Sequence, residues 1–307
     1  MISRNYQKHF PVMLPQVLEA LSPQDDKVYV DATFGNGGYT QAILEKARCK
    51  VIALDRDATV LPRTKEFAEV YGDRFEFRKG RFGDFDSLVG EDIDGAVFDI
   101  GVSSMQLDEA ARGFSFAKEA PLDMRMSQDG PSAADLVNSL SEQELADILY
   151  TYGEEKKSRQ IARKIVEARS KKAITTTTEL ANIIYQVIKK SPKTPIDPAT
   201  RSFQALRIAV NDELNELKKG LEKATSRLKS NGRLVVVDFH SLEDRIAKTF
   251  FKTNSDKAVH VSRYRTPEPP KSSAVFGFVS KAIVPSPKEL EQNNRSRSAK
   301  LRFGIKN

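Results

Sequence analysis

An α/β fold is predicted here: a mainly parallel sheet covered by helices on both faces and interrupted by a helical insertion. Three observations predict it. Short β-rich runs alternate with helical patterns through the first third of the chain, the alternation stops between Gln106 and Pro198, and an apolar run of buried-strand type returns at Arg233–Asp238. Strands alternating with helices imply right-handed βαβ units, whose crossovers place helices on both faces of a parallel sheet.

The elements follow in order. Val28–Asp31 reads as a short strand running into a glycine-rich turn, Thr33-Phe-Gly-Asn-Gly-Gly-Tyr39, before a helix over Thr40–Ala47. Lys50–Asp55 is a second strand, Asp57–Val70 a second helix, and Arg74–Arg78 a third strand with apolar residues at every second position. Asp94–Asp99 is a fourth strand. In the insertion, Ser141-x-x-Glu144 and Thr176-x-x-Glu179 match the capping box, in which a hydroxyl and a carboxylate satisfy free N–H groups reciprocally. Ile161, Ile165 and Ala168 make an apolar stripe flanked by Lys157, Arg159, Arg163 and Lys164. Pro192, Pro195 and Pro198 mark a linker. Leu206, Val210, Leu214, Leu217, Leu221 and Leu228 recur at helical spacing as one long core-facing helix, stopped by Asn231-Gly232. Two further strands are expected near Ala274–Ile283 and Ser298–Ile305. The expected division is a discontinuous α/β domain, 1–105 and 199–307, around a helical domain, 106–198, that would recognise the substrate.

Composition narrows the function classes. With 39% hydrophobic and 30% charged residues over 307 positions, the chain can bury a full core, which excludes disordered and fibrous folds. One cysteine, Cys49, and three histidines, His9, His240 and His260, cannot build a cysteine-rich zinc site, so no metal is expected. No apolar stretch approaches the roughly 20 residues of a membrane span, and MISRNYQKHFPVML has no apolar core of secretory length. A reducing, cytoplasmic setting is expected. The net charge of +7 sits in the tail, since from Val261 onward ten Lys or Arg face three Glu. That placement suits a polyanionic partner, beside the blander reading of a solvated basic face.

Three expected strands end in a carboxylate: Asp31, Asp55 and Asp99. Ligands of open α/β sheets bind beyond the carboxyl ends of the strands, so these acids should converge on one crevice. Gly35, Gly37 and Gly38 would let the backbone pass close to a ligand. The dinucleotide pattern G-x-G-x-x-G fails because Thr40 holds its last position, which disfavours a nicotinamide enzyme. No glycine loop is followed by Lys and Ser/Thr, which argues against a P-loop enzyme. An acidic glycine turn, a second-strand acid suited to a ribose diol and a third acid after strand four form the pattern of an S-adenosylmethionine site. Strand-end acids acting as helix caps are the competing reading.

The pattern becomes specific at Asp99-Ile-Gly-Val-Ser-Ser-Met-Gln-Leu-Asp108. Around it stand Arg112-Gly-Phe-Ser-Phe116, Pro121-Leu-Asp-Met-Arg-Met126, Tyr152-Gly-Glu-Glu155, Arg201-Ser-Phe-Gln-Ala205 and Phe239-His-Ser-Leu-Glu-Asp-Arg245. In these blocks, from His9 to Arg302, the chain resembles the MraW family of bacterial 16S rRNA cytosine-N4 methyltransferases. The resemblance implies a class I S-adenosylmethionine-dependent methyltransferase fold with an inserted helical domain. It also implies methylation of a P-site cytidine of the decoding centre, with 16S rRNA in the small ribosomal subunit as partner; a homodimeric state is left open. Carried over by motif, the cofactor contacts are Gly37, Gly38, Tyr39, Asp55, Phe82, Asp99 and Gln106. Tyr39 departs from a His common at that position, and Met105 from a Pro common before the Gln, which loosens the turn presenting Gln106.

A methyltransferase aligns its acceptor for an in-line displacement and excludes water. The N4 amine of cytosine is a poor nucleophile because its lone pair is delocalised into the ring. An acceptor for its hydrogens helps the lone pair localise. Asp99 or a carbonyl of the Ile100–Ser104 turn is the first candidate, and His240 the second. Asp108, Asp123 and Arg125 stand in loop motifs where substrate contact and loop architecture are equally open. Phe114 and Phe116 read as buried loop anchors that could also stack on a base, and Asp244 with Arg245 as a helix ion pair. A DNA amino-methyltransferase would share the chemistry, but Ile-Gly-Val follows Asp99 where an acid-Pro-Pro-aromatic turn is usual. A non-catalytic assembly factor gives no reason for acids and glycines at strand ends.

Overall fold

The computed structural model describes residues 11–191, 196–255 and 274–307. His9, Pro192, Pro195, His260 and the first part of the basic tail, 261–273, lie outside the described residues. The chain divides into two compact units, residues 1–101 with 214–307, and residues 102–213.

The first unit is built on a seven-stranded sheet: β1 (Val28–Asp31), β2 (Lys50–Asp55), β3 (Phe75–Lys79), β4 (Ile93–Asp99), β5 (Leu228–Asp238), β6 (Phe276–Val279) and β7 (Lys300–Lys306). Their spatial order is β3-β2-β1-β4-β5-β7-β6. The first five run parallel, and β7 lies antiparallel to both β5 and β6. Strand order reverses between β1 and β4, where an open sheet of this kind offers its ligand site. The first two strands occupy the residues expected of them. The sixth is shorter than expected, with Ile283 making an isolated bridge to Leu301 beyond it.

Four helices belong to the first half of this unit: α1 (Leu14–Leu21), α2 (Gly38–Lys46), α3 (Leu61–Tyr71) and the single turn α4 (Phe85–Leu88). The expected helix from Asp57 is in fact a 3-10 turn capped by Asp57, whose side chain accepts from the N–H of Thr59, followed by α3 with Pro62 in its first turn. Proline there gives up an N–H that has no intrahelical partner anyway.

The second unit consists of helices: α5 (Ser104–Asp108), α6 (Ala133–Ser139), α7 (Glu142–Gly153), α8 (Ser158–Arg169), α9 (Thr177–Val187) and α10 (Thr200–Asn211). Both expected capping boxes form, at Ser141/Glu144 and Thr176/Glu179, and Ser103/Gln106 and Ser132/Asp135 add two more. Its core gathers Leu145, Leu149, Ile161, Ile165, Leu180, Ile184, Phe203 and Leu206. Phe114 is buried in that core and Phe116 packs edge-on against Phe203 at 4.8 Å, so both serve as loop anchors. Arg125 closes on Asp123 at 2.7 Å, and Arg112 donates to the carbonyls of Arg125 and Met126. These loop residues hold one another.

The unit boundary falls at Glu213 rather than at the proline segment. The leucine periodicity reads straight through from Leu206 to Leu228, yet the helix breaks at Asp212, which takes a left-handed conformation (φ 52°) and ends α10. The next helix, α11 (Glu213–Arg227), returns to the first unit. The stripe is therefore split: Leu206 packs in the core of the second unit, whereas Leu217, Leu221 and Leu228 pack in that of the first. Asn231 (φ 63°) marks an irregularity inside β5, not a helix stop. The chain ends with α12 (Ser241–Thr253) and α13 (Pro287–Gln292).

Side chains alternate across a strand, so the core cluster reports which way each one points. Val30, Ile52, Leu54, Ala96, Phe98 and Val236 pack with residues of α4, α11 and α12. Their neighbours Asp31, Asp55 and Asp99 consequently point to the opposite face, where the α1 residue Leu21 meets Gly95.

Candidate active site

The three strand-end acids of β1, β2 and β4 share one face of the sheet and surround the turn between β1 and α2. Each has a different task. Asp31 is fully buried; its Oδ2 accepts from the N–H and hydroxyl of Thr40 at 3.2 and 2.7 Å, and its Oδ1 from the N–H of Thr33. It clamps both ends of the turn, with burial pushing its carboxyl up to about 6. Sequence reasoning grouped Asp31 with the ligand-facing acids, but its oxygens are engaged in holding the loop.

Asp55 is half-buried, and its two oxygens accept from the N–H groups of Gly35 and Asp57 at 2.8 Å each. Burial, opposed by those two bonds, places its carboxyl at about 6. Each carboxylate oxygen retains acceptor capacity for a further donor. Asp99 differs. Its backbone N–H reaches Thr33 Oγ1 at 2.8 Å, but its Oδ1 is shut off from solvent without a hydrogen-bond partner. Burial first, then the negative neighbours Asp31 and Glu243, hold its carboxyl well above the ordinary range.

The turn itself needs its glycine. Gly37 stands at φ 79° as the N-cap of α2, and a Cβ there would lie 2.5 Å from the Phe67 ring and 2.9 Å from that of Phe34. Since Gly37 has no side chain to cap the helix and Asp31 takes the N–H of Thr40, the N–H groups of Gly38 and Tyr39 are left to other acceptors. The Tyr39 ring is buried and its hydroxyl donates to the Val12 carbonyl. Its side chain thus fastens the segment before α1, and its backbone N–H is what it can offer a ligand.

Phe82 begins the turn after β3, half-buried, with its ring edge-on to Phe98 at 5.6 Å and against Gly220 of α11. Glu216 secures that turn by accepting from the N–H of Gly83 at 3.2 Å. Gln106 belongs to the second unit, where its Oε1 accepts from the N–H of Ser103 at 3.0 Å. The first unit places Gly37, Gly38, Tyr39, Asp55 and Asp99 around the turn between β1 and α2, whereas the Phe82 ring packs with Phe98 and α11 against the core of the other face.

Two features of the β5 end escaped sequence reasoning. Asp238, the last residue of β5, is a fourth strand-end acid, 1% exposed, with neither oxygen hydrogen-bonded. It alternates to the other face of the sheet from Asp99, and burial, then Asp244 and Glu243, push it up to about 8. His240 caps α12: Nδ1 accepts from the N–H of Glu243 at 3.5 Å, and the Glu243 carboxylate takes the N–H groups of Phe239 and His240. The other ring nitrogen lies 3.0 Å from Glu243 Oε1. The i, i+3 spacing was visible; histidine as its capping partner was not.

The tail reading also changes. Lys300 and Arg302 face Asp244 at 2.7 Å each, a cluster tying β7 to α12 that the expected Asp244–Arg245 pair did not include. Lys306 donates to the carbonyls of Thr225 and Leu228. These three tail cations have structural partners.

The donor set fits a cationic nucleoside sulfonium. Among the described residues no acceptor takes the first N–H groups of α2, which suit a carboxylate; Asp55 suits a diol, the half-buried Phe82 ring suits a purine, and the Asp99 oxygen, unpartnered among the same residues, suits a cation. No helix of the described residues is long and apolar enough to cross a membrane.

The sequence profile of the MraW methylase family matches residues 6–306. The Ribosomal RNA small subunit methyltransferase H of Paramagnetospirillum magneticum is 53% identical over 303 residues, covering 96% of this chain and 95% of the relative. That of Rhodospirillum rubrum is 52% identical over 306 residues, covering 96% and 93%. Among solved structures, an rRNA methylase from Streptococcus thermophilus aligns over 100% of this chain and 98% of its own at 14% identity, with a TM-score of 0.41. The chain belongs to the MraW methylase family and is a methyltransferase whose methyl donor is S-adenosyl-L-methionine.

Proposed function

We propose that this protein methylates the N4 amine of a P-site cytidine in 16S rRNA, acting on the small ribosomal subunit in the cytoplasm. The observation that carries the reading is the Asp99 carboxyl: it ends β4 beside the glycine turn, with one oxygen buried and without a hydrogen-bond partner among the described residues. The names of the relatives support the rRNA substrate.

When bound, the cofactor supplies an electrophilic methyl carbon. The N–H groups of Gly38 and Tyr39 bind its carboxylate, Asp55 orients the ribose by accepting from both hydroxyls, and Phe82 covers the adenine. Gln106 is assigned to the same ligand by motif. Asp99 accepts a hydrogen of the target amine, which localises the nitrogen lone pair and takes up positive charge as the new bond forms. His240 is the second candidate for that task; with Nδ1 accepting from the Glu243 N–H, Nε2 carries the ring proton and faces Glu243 Oε1, so His240 would have to give up its cap to accept from the amine. The target base must leave its stack to be reached. Residues 102–213 recognise the rRNA through the exposed cations of α8, by phosphate contacts and shape.

The test is transfer of labelled methyl groups to purified small subunits, followed by nuclease digestion and mass spectrometry. N4-methylcytidine at the P-site position is expected; label on another atom or another base overturns the assignment.

A further inference from the structure

Asp99 is held in place from both sides. Its own N–H bonds to Thr33 Oγ1, and the next N–H, of Ile100, bonds to the Val237 carbonyl at 2.9 Å. The backbone that carries its carboxyl is thus fixed at the end of β4, and Oδ1 is buried there without a hydrogen-bond partner among the described residues. Among the described residues, the titratable groups that face it are Asp31 from β1, Tyr39 from α2 and Glu243 from α12. None is a cation. Asp31 and Glu243 are themselves carboxyl groups, spent on the glycine turn and on the start of α12. An ionised Asp99 would have one oxygen dehydrated and unpaired, beside two like charges. A group in that position takes up a proton in preference to standing as a bare buried charge.

We propose that Asp99 is the neutral acid in the free protein and gives its proton to solvent when S-adenosylmethionine binds, so that binding arms it as the acceptor for the chemical step. The methyl donor carries a sulfonium and an ammonium against one carboxylate, a net single positive charge. A cation brought into a site of three carboxyl groups favours their ionised forms.

Atoms and charges balance over the cycle. On binding, the Asp99 carboxylic acid becomes a carboxylate and one proton enters the buffer. In the transfer, the acceptor nitrogen bonds the methyl carbon, the electron pair of the broken S–C bond returns to sulfur, and one amine proton passes to Asp99. The neutral thioether then leaves behind the acid that was present at the start. Each turnover releases one proton, and it departs before the acceptor arrives. The transfer half of this scheme rests on the amine acceptor proposed above; the binding half does not.

Isothermal titration calorimetry with S-adenosylmethionine and no RNA tests the binding half, so its failure is separate from a wrong acceptor. At pH 6.5, in buffers of different ionisation heat, the wild type should release close to one proton more than Asp99→Asn. Asp238→Asn, altering an acid on the other face of the sheet, should keep the wild-type count. Affinity should rise about tenfold per pH unit while Asp99 is protonated in the free protein. A wild type that binds without proton release, or an Asp99→Asn that binds with the wild-type count, overturns the proposal. Should Asp99→Asn not bind, carbon-13 NMR of aspartate-labelled protein decides. The resonance missing from the folded variant must move from the acid to the carboxylate position when S-adenosylmethionine is added to the wild type; one already at the carboxylate position in the free protein overturns the proposal.

Discussion

Asp238 and Asp244 stand near the same two cations, and Asp244 holds both. Lys300 and Arg302 close on Asp244 at 2.7 Å each, while Asp238, paired with Lys300 only along the β5–β7 backbone ladder, has no side-chain partner. The Asp238 carboxyl, pushed up to about 8, binds its proton more tightly in the folded than in the unfolded protein. Its contribution to stability is therefore full below the ordinary carboxylate value and is lost as pH rises towards 8, with a slope of up to about 1.4 kcal/mol per unit. Asp238→Asn should flatten stability between pH 5 and 8 and raise the urea midpoint at pH 8. Parallel pH profiles for variant and wild type would show Asp238 to be ionised and paired. At the acid end the sign reverses: Glu76, held at about 2 by Arg78 and Lys50, adds stability above the ordinary value that is lost as pH falls.

Asp55→Ala should weaken cofactor binding by tenfold to a hundredfold, from roughly 1.5–3 kcal/mol for a hydrogen bond to a charged acceptor. The variant should remain folded by circular dichroism, because Asp31 still clamps the turn at Thr33 and Thr40. Unchanged affinity in a folded variant removes Asp55 from the site.

Tyr39→Phe separates side chain from backbone. The missing hydroxyl leaves the buried Val12 carbonyl unsatisfied, so the thermal midpoint should fall, at a cost of about 1–3 kcal/mol. Cofactor affinity should stay within a factor of two or so, since the backbone N–H is untouched. A large drop in affinity without a drop in stability would assign the hydroxyl to the ligand.

Arg159→Ala with Arg163→Ala tests the RNA face of α8. Both are exposed, one helical turn apart. RNA affinity should fall and its salt slope become shallower by roughly 1.4–1.8, from ~0.7 to 0.9 for each phosphate no longer neutralised. Cofactor affinity should be unaffected. If slope and affinity both hold, the phosphates are gripped by other cations, such as the exposed Arg297.

What could be read in advance followed local chemistry. Lys50–Asp55 was legible to the residue because a continuous apolar run ends in an acid, and the Ser141 and Thr176 caps because their partners lie three residues on. Asp238 was overlooked because the apolar run before it reads as core, and only the alternation of β5 shows which face it takes. The break at Asp212 was hidden because one leucine periodicity serves two cores, and periodicity does not say which core a leucine enters. The pairing of Lys300 and Arg302 with Asp244 joins residues more than fifty positions apart, beyond the reach of any local pattern.

The spatial order of the strands is not the order in which they are synthesised. β4 leaves the ribosome well before its neighbour β5, with residues 102–213 made in between, and β6 precedes the strand that separates it from β5. Until Lys300–Lys306 emerges, β5 has a bare edge and Phe276–Val279 has no strand to join. Pairings of such long sequence separation slow folding, and unpaired edges recruit strands from other chains. A nascent copy of this protein should therefore depend on holdase chaperones until its last strand slides between the two that wait for it, and truncation before residue 300 should convert it into an aggregating species.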